Sequence, residues 1–282
     1  MINLKQCVPS GCKVIVHWMP WHGSSGHVPL LYPMGLSLPA TLIPYVSSDS
    51  AICADQVAKM KMWGVDAINV DYYGPGNAPL ESATLAMLAA CAAGGLGFSV
   101  CVDQGAISAG ADATDQYIEV LSFLGGGMMA SPAYLRDSTG RSIVSFFGEP
   151  AGVDWNAVRA AIPSPMAFLF EANFAHLQAD GAFGWVNPVA GQPLNIDIPA
   201  IQTFNASATA NPTKMAWFPA YAGFDDSIAS WGSGRVMVRG CGKTLLDTLA
   251  QVPKTAEYVL LPTWNDCEEG TNLEEGVSVA NP

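Results

Sequence analysis

The sequence predicts a (β/α)8 barrel, a TIM barrel of the α/β class, on three observations. Eight short apolar stretches, near residues 14, 66, 97, 143, 167, 182, 214 and 258, read as strands buried on both faces. Helix-like segments separate most of them, which argues for a parallel closed sheet. The 282 residues suit one such barrel, commonly about 250 residues long. The expected layout is a single domain over 1–282 without internal repeats. Sixteen residues follow Asp266, so the last helix is expected to be incomplete or missing.

The first strand, Val14 to Trp18, runs into HWMPWHG and puts His17, Trp18, Trp21 and His22 at a strand end. Aromatic rings there suit stacking on a sugar, and His17 suits a hydroxyl. The proline-rich stretch His27 to Ser50 is expected to be an irregular binding loop or lid. A helix from Ser50 to Trp63 stops at Gly64. The strand Val65 to Tyr72 brings Asn69, Asp71, Tyr72 and Tyr73 to its far end. Leu80 to Ala93 reads as a helix, and Gly97 to Val102 as a strand leading to Asp103 and Gln104. This region is charge-free for long enough to mimic a membrane span, but Gly94, Gly95 and Gly97 split it into helix, turn and strand.

Asp112 to Leu124 has a helical pattern, DSTGR reads as a turn, and the strand Ile143 to Phe147 ends beside Glu149. After a short helix, Trp155 to Ala161, the strand MAFLFEANF carries Glu171 near its end. Ala182 to Val186 places Trp185 at the cleft, and Pro199 to Ala208 reads as a helix. The strand Lys214 to Phe218 leads to a loop with Tyr221, Asp225, Asp226, Trp231 and Arg235. A helix over Thr244 to Val252 precedes the last strand, Tyr258 to Leu261. That strand runs into Trp264, Asn265, Asp266, Glu268 and Glu269.

Apolar strands that end in acids fit the barrel rim where substrates bind. Asp71, Asp103, Glu149, Glu171, Asp266 and Glu269 form the expected ring. Clustered carboxylates repel one another, so one of them stays protonated near neutral pH. A protonated and a charged carboxylate together are what glycosidic bond cleavage requires. Asp266, Glu269, Asp71 and Glu171 are the catalytic candidates. The substrate-contact candidates are His17, Trp18, Trp21, Asn69, Tyr72, Tyr73, Asp103, Glu149, Trp185, Tyr221, Asp225, Trp264 and Asn265. The plainer alternative has the acids near Glu268 capping a helix that starts there.

The bulk composition agrees. Charged residues make up 13% and the net charge is −12, which repels nucleic acid and anionic membranes and suits a neutral ligand. The expected partner is an oligo- or polysaccharide, with no nucleic acid, no membrane and a monomeric chain. No cofactor or metal is expected, since His17, His22 and His27 match no standard zinc spacing. The seven cysteines are irregularly spaced and read as small buried thiols, with one or two disulfides an alternative in an exported chain. MINLKQCVPSG lacks a signal-peptide core. The expectation is a secreted or periplasmic location with the leader outside this sequence, or a cytoplasmic one. No GxGxxG, P-loop or GxSxG motif is present.

TWNDCEEGTNLE, residues 263–274, resembles the last-strand motif of glycoside hydrolase family 71, the α-1,3-glucanases. It is less similar to the corresponding motif of the family 99 endo-α-mannosidases. The resemblance extends in order to VHWMPW (16–21), QVAKMKMWGVDAINVDYYG (56–74), GRSIVSFFGEP (140–150) and FPAYAGFDD (218–226). It implies that Asp266 and Glu269 are functional, and an aspartate at 266 implies a glucan-like substrate. It also implies inversion, as family 71 looks inverting and family 99 retaining through the sugar's own 2-hydroxyl. In an α-mannoside that hydroxyl is trans to the leaving group, whereas in an α-glucoside it is cis and cannot attack. Glu269 is cast as general acid and Asp266 as base or charged stabiliser, with the swapped assignment open. Cys267 stands where an aromatic is usual, and Glu268 adds an acid. The competing classes are a sugar-binding barrel without turnover and a metal-dependent hydrolase such as a deacetylase.

Overall fold

The structure, a computed structural model, describes residues 3–36, 40–108, 112–274 and 277–278. The chain runs β1 (Lys13–Trp18), β2 (Leu30–Met34), β3 (Thr41–Pro44), α1 (Ser50–Met62), β4 (Ala67–Tyr72), α2 (Ala78–Gly94) and β5 (Gly97–Asp103). It continues through α3 (Ala113–Gly126), β6 (Ser142–Phe147), α4 (Trp155–Ala161), β7 (Met166–Glu171), β8 (Gly181–Phe183) and α5 (Ile198–Ala210). The last part comprises β9 (Met215–Pro219), β10 (Phe224–Asp225), β11 (Val236–Met237), α6 (Lys243–Leu249), β12 (Tyr258–Leu261) and β13 (Val277–Ser278).

Strands β1, β4, β5, β6, β7, β8, β9 and β12 close into a parallel barrel in chain order, with β12 pairing back on β1 through Lys13↔Tyr258 to Val16↔Leu261. The fold is therefore a (β/α)8 barrel, and all eight expected strands are present. Two helices of the ideal pattern are missing among the described residues. The β7–β8 connection has none, and β12 is followed by a turn and the short strand β13.

Side-chain alternation sorts each strand's residues into two sets. Ile15, Ala67, Cys101, Ile143, Leu169, Phe183, Trp217 and Leu260 point inward and fill the barrel. Val14, Val16, Trp18, Val70, Tyr72, Val100 and Val102 point outward under the helices. Both faces are dry, which is why the strands read as nearly continuous apolar runs. Several acids do local backbone work. Asp49, Asp112 and Asp154 cap α1, α3 and α4 by accepting the N–H groups of Ala51 (2.8 Å), Thr114 (3.1 Å) and Asn156 (3.0 Å). All seven cysteines are unpaired, and Cys12, Cys53, Cys91 and Cys101 are buried.

The His27–Ser50 stretch differs from the expected irregular loop. β2 and β3 pair antiparallel, from Leu31↔Pro44 to Met34↔Thr41, and β13 joins β2 as a third strand. Prolines at 33 and 44 within these short strands obscure their pattern in the sequence. A second small pair, β10 with β11, forms inside the loop after β9. No helix begins at Glu268, since residues 267–270 form a turn. Ala83 to Val102 divides into helix, glycine turn and strand as expected, and among the described residues no helix is long and apolar enough to cross a membrane.

A buried polar network joins this added sheet to the barrel. Glu274 accepts hydrogen bonds from Tyr45 Oη (2.8 Å), Gln56 Nε2 (3.0 Å) and Trp264 Nε1 (3.0 Å). Gln56 Oε1 in turn accepts from Trp18 Nε1 at 3.2 Å. Burial pushes the Glu274 carboxyl up from 4.5 to about 7, against the opposing pull of these donors and of Lys59. A raised carboxyl pKa stabilises the fold while the group is protonated, and that contribution is lost as pH rises through the folded value. Relative to Glu274→Gln, which stays neutral, the wild type should lose up to about 3 kcal/mol of unfolding free energy between roughly pH 4.5 and pH 8. Denaturant unfolding of both proteins across that range checks this, and a constant difference would contradict it.

Candidate active site

The C-terminal ends of the strands surround a cleft of about 600 Å³. Strand parity selects its lower wall. His17, Asp71, Asp103 and Phe147 continue the inward-facing series of β1, β4, β5 and β6, and Trp185 continues that of β8. Beneath them lies a polar layer in which Asn69 donates to Ser145 Oγ (2.9 Å) and accepts from Ser99 Oγ (2.9 Å). His17 Nε2 stands 3.5 Å from Asp71 Oδ1, and Trp185 packs edge-on against His17 with ring centroids 4.7 Å apart. Phe147 leans on Trp185 at 4.9 Å. The opposite wall is a second aromatic group. Trp21 stacks on His27 at 4.7 Å and 12°, and Trp231 tilts against both at 5.7 and 5.9 Å.

The turn after β12 supplies the acids. Asp266 is 1% exposed, and its Oδ1 accepts the backbone N–H groups of Glu268 (3.0 Å) and Glu269 (2.8 Å). That capping bond fixes the turn, and Oδ2 receives no hydrogen bond from the described residues. Glu269 is half-buried and accepts from Trp231 Nε1 at 2.9 Å. Both acids line the cleft. Burial, and then the charge of Glu269, hold the Asp266 carboxyl well above the usual range. Burial also raises Glu269, against the indole hydrogen bond. Asp103 is pushed up to about 7 by burial and the neighbouring charge of Asp71, despite a backbone bond from Gly105. Tyr73 sits among Asp71, Asp103 and Asp266, and burial plus those charges keep its phenol protonated.

Asn265 locks this turn in place. Its amide makes a two-way clamp on the Met19 backbone, accepting from N (2.7 Å) and donating to O (2.8 Å), and it also donates to Tyr45 Oη (3.1 Å). His22 donates from Nε2 to the Asn265 carbonyl at 2.8 Å, and burial lowers its pKa to about 4, so the ring is neutral. Glu268 is a second tether, since it accepts from the Val28 N–H (2.5 Å) and pairs with His27 Nδ1 (3.2 Å). The three N-terminal histidines thus have separate partners: Asp71, Asn265 and Glu268. Among the described residues no three metal-ligating side chains converge.

The whole barrel has solved counterparts. The GH99 endo-alpha-mannosidase from Bacteroides thetaiotaomicron, in complex with BIS-TRIS-propane, matches at TM-score 0.71 and 16% identity, over 94% of this chain and 87% of that one. A second structure of the enzyme gives 0.70 at 16% identity, covering 94% and 88%. A glycoside hydrolase-like protein matches at 0.66 and 10% identity, over 94% and 87%. No family model matches the sequence, and no curated protein does. At such identities the likeness shows a shared fold, the TIM barrel of these hydrolases. It does not separate family 71 from family 99.

The structure brings together on one cleft His17, Trp21, Asp71, Tyr73, Asp103, Trp185, Asp266 and Glu269 from the expected set. The other candidates lie elsewhere. Trp18 and Tyr72 have outward parity and are buried under the helices. Trp264 is buried against Glu274, Asn69 lies in the layer below the cleft, and Asn265 is spent on Met19. Tyr221 donates to the Ile196 carbonyl within a separate apolar cluster. Asp225 is exposed and accepts from Ser227 N–H, while its neighbour Asp226 is buried in an ion pair with Arg235. Glu149 binds Trp155 Nε1 (2.5 Å) and faces His176 in a neighbouring depression. Glu171 is inward by parity but is not part of the cleft lining, although its charge reaches Asp103. The cleft also contains Met19, His27, Asn77, Leu80, Gln104, Phe147 and Trp231, which were not among the site candidates. Strand parity would have found Phe147; Leu80 comes from the first turn of α2, and the others sit on the connections after the strands.

Asn265→Ala should destabilise the protein by about 2–4 kcal/mol, because it strands both buried Met19 backbone groups. Chemical denaturation measures this, and a change below about 0.5 kcal/mol would show the clamp to be unimportant.

Proposed function

We propose that this chain is a glycoside hydrolase acting on an α-linked glucan, α-1,3-glucan in type, with Asp266 and Glu269 as its acid–base pair. The observation that carries this reading is the meeting of both acids on one aromatic-walled cleft, where burial raises both carboxyls and the charge of Glu269 raises Asp266 further. Glu269, the more open of the two to the cleft, serves as general acid and gives a proton to the leaving oxygen, with the swapped assignment as the second choice because the Asp266 carboxyl is held well above its usual range. Asp266, fixed through one oxygen by two backbone N–H groups, keeps the other for an attacking water. The flat walls of Trp21 and Trp185 suit the C–H faces of sugar rings. Asp71 with His17, together with Tyr73 and Asp103, suits sugar hydroxyls. In an α-glucoside the 2-hydroxyl is cis to the leaving group and cannot displace it, so the proposed reaction takes the inverting course, which calls for acid and base about 6.5–9.5 Å apart.

A second reading is a retaining endo-α-mannosidase-like hydrolase, favoured by the likeness to the Bacteroides enzyme. Aspartate rather than glutamate at 266 favours the glucan. A sugar-binding barrel without turnover would bind glycans and release no reducing ends.

The decisive experiment is a polysaccharide screen led by α-1,3-glucan and α-mannan, with NMR of the anomer first released. The β-anomer is expected from α-1,3-glucan, and an α product would overturn inversion. Asp266→Asn and Glu269→Gln should each cut turnover by about 10²–10⁴-fold while sugar binding persists. Turnover that survives in both would defeat their assignment as the acid–base pair, and a wild type that binds glycans without releasing reducing ends would defeat the hydrolase reading. Because the pair's carboxyls are raised, kcat/KM should hold toward neutral pH and fall on the alkaline side as the shared proton leaves.

A further inference from the structure

We propose that Trp231 is a positioning residue for Glu269, holding the acid toward the leaving group and bordering the sugar that departs. The inference rests on the hydrolase reading above. Trp231 Nε1 lies 2.9 Å from Glu269 Oε1, and its ring closes against the Trp21–His27 stack. It is 45% exposed and lines the cleft. The indole N–H therefore grips the acid while the ring stays open to the cleft. A group bonded to the proton donor lies beside the oxygen that receives the proton.

The loop that presents Trp231 is built to be rigid. Buried Asp226 accepts the N–H groups of Ser233 (3.2 Å) and Arg235 (2.6 Å), and it pairs with the Arg235 guanidinium at 2.8 Å. Gly232 N–H closes a turn on the Ala229 carbonyl at 2.9 Å. A Cβ on Gly232 would stand 1.8 Å from the Asp226 carbonyl oxygen, so only glycine fits beside Trp231. The loop also reaches the acid turn through its backbone, where Asp225 N–H donates to the Glu269 carbonyl at 2.6 Å.

Several charged groups face Glu269. Asp266 shares its turn, Asp71 comes from β4, and Asp226 and Arg235 belong to the Trp231 loop. Asp71 and Asp226 favour its protonated form and Arg235 its charged form. The indole N–H also favours the carboxylate, so removing it leaves a weaker acid.

The test compares Trp231→Phe with wild type on two substrates. One is a short α-1,3-linked gluco-oligosaccharide, and the other is the α-glycosyl fluoride of the same sugar, whose fluoride departs without needing a proton. Trp231→Phe keeps a ring but removes the N–H. It should cut kcat on the oligosaccharide by about 10-fold or more, leave the fluoride within about 3-fold, and move the alkaline limb of the oligosaccharide profile up by about half to one pH unit. Gly232→Ala, which displaces the loop but keeps the indole, should show the same selective loss. Equal losses on both substrates with an unmoved limb would overturn the proposal and leave a structural role. Glu269→Gln separates the two levels. If it is inactive on the oligosaccharide while Trp231→Phe shows no selectivity, only the Trp231 proposal fails. If Glu269→Gln retains turnover, the assignment of Glu269 as general acid fails with it, and if the wild type releases no reducing ends the hydrolase reading fails as a whole.

Discussion

The site depends on how the last strand is fastened to the first. β12 pairs with β1 to close the barrel, and just above that seam Asn265 grips the Met19 backbone by both its N–H and its carbonyl. A side-chain amide can satisfy a peptide group in both directions, so one residue replaces the ladder bonds that end with the strands. Tyr45, Gln56 and Glu274 continue the same network into α1 and the added sheet. All of these groups are buried, where an unpaired partner is costly, so the network is strongly specified. The acid turn that follows inherits its position.

On that anchored turn the acids are held under strain of an electrostatic kind. Asp266, Glu269, Asp71 and Asp103 face one cleft with Tyr73 among them. Desolvation and neighbouring like charge both oppose ionisation of Asp266, Glu269 and Asp103, and few nearby cations relieve them. Arg235 is committed to Asp226, and Arg239 to the Gly270 and Asn272 carbonyls.

The fold was legible because barrel strands are dry on both sides and leave unbroken apolar runs, and glycine or acid caps mark the helices between them. The acids at strand ends were legible for the same reason, as a polar residue straight after such a run has few other places to go. Facing direction was the weak point. Trp18 and Asp71 both end apolar strands, yet one is one residue out of the inward series and lies under a helix, while the other is in step and reaches the cleft. Counting alternate residues from Ile15 and Ala67 would have separated them. The loops offered no such rule. His27 and Trp231 come together through long connections whose paths depend on Glu268 and on the Asp226–Arg235 pair, and nothing local in the sequence encodes that meeting.

A capped backbone and the proposed reactive pair both involve Asp266, through different oxygens. Asp266 does cap, through Oδ1, and this is compatible with chemistry because a carboxylate has two oxygens. Capping fixes the torsion of the group and aims the second oxygen without another side chain to steer it. Glu268 completes the division of labour by tying the turn to Val28 and His27, so its charge is spent on structure beside two acids that line the cleft. Three acids in four positions thus have different surroundings, and hydrogen-bond partners, more than sequence spacing, tell them apart.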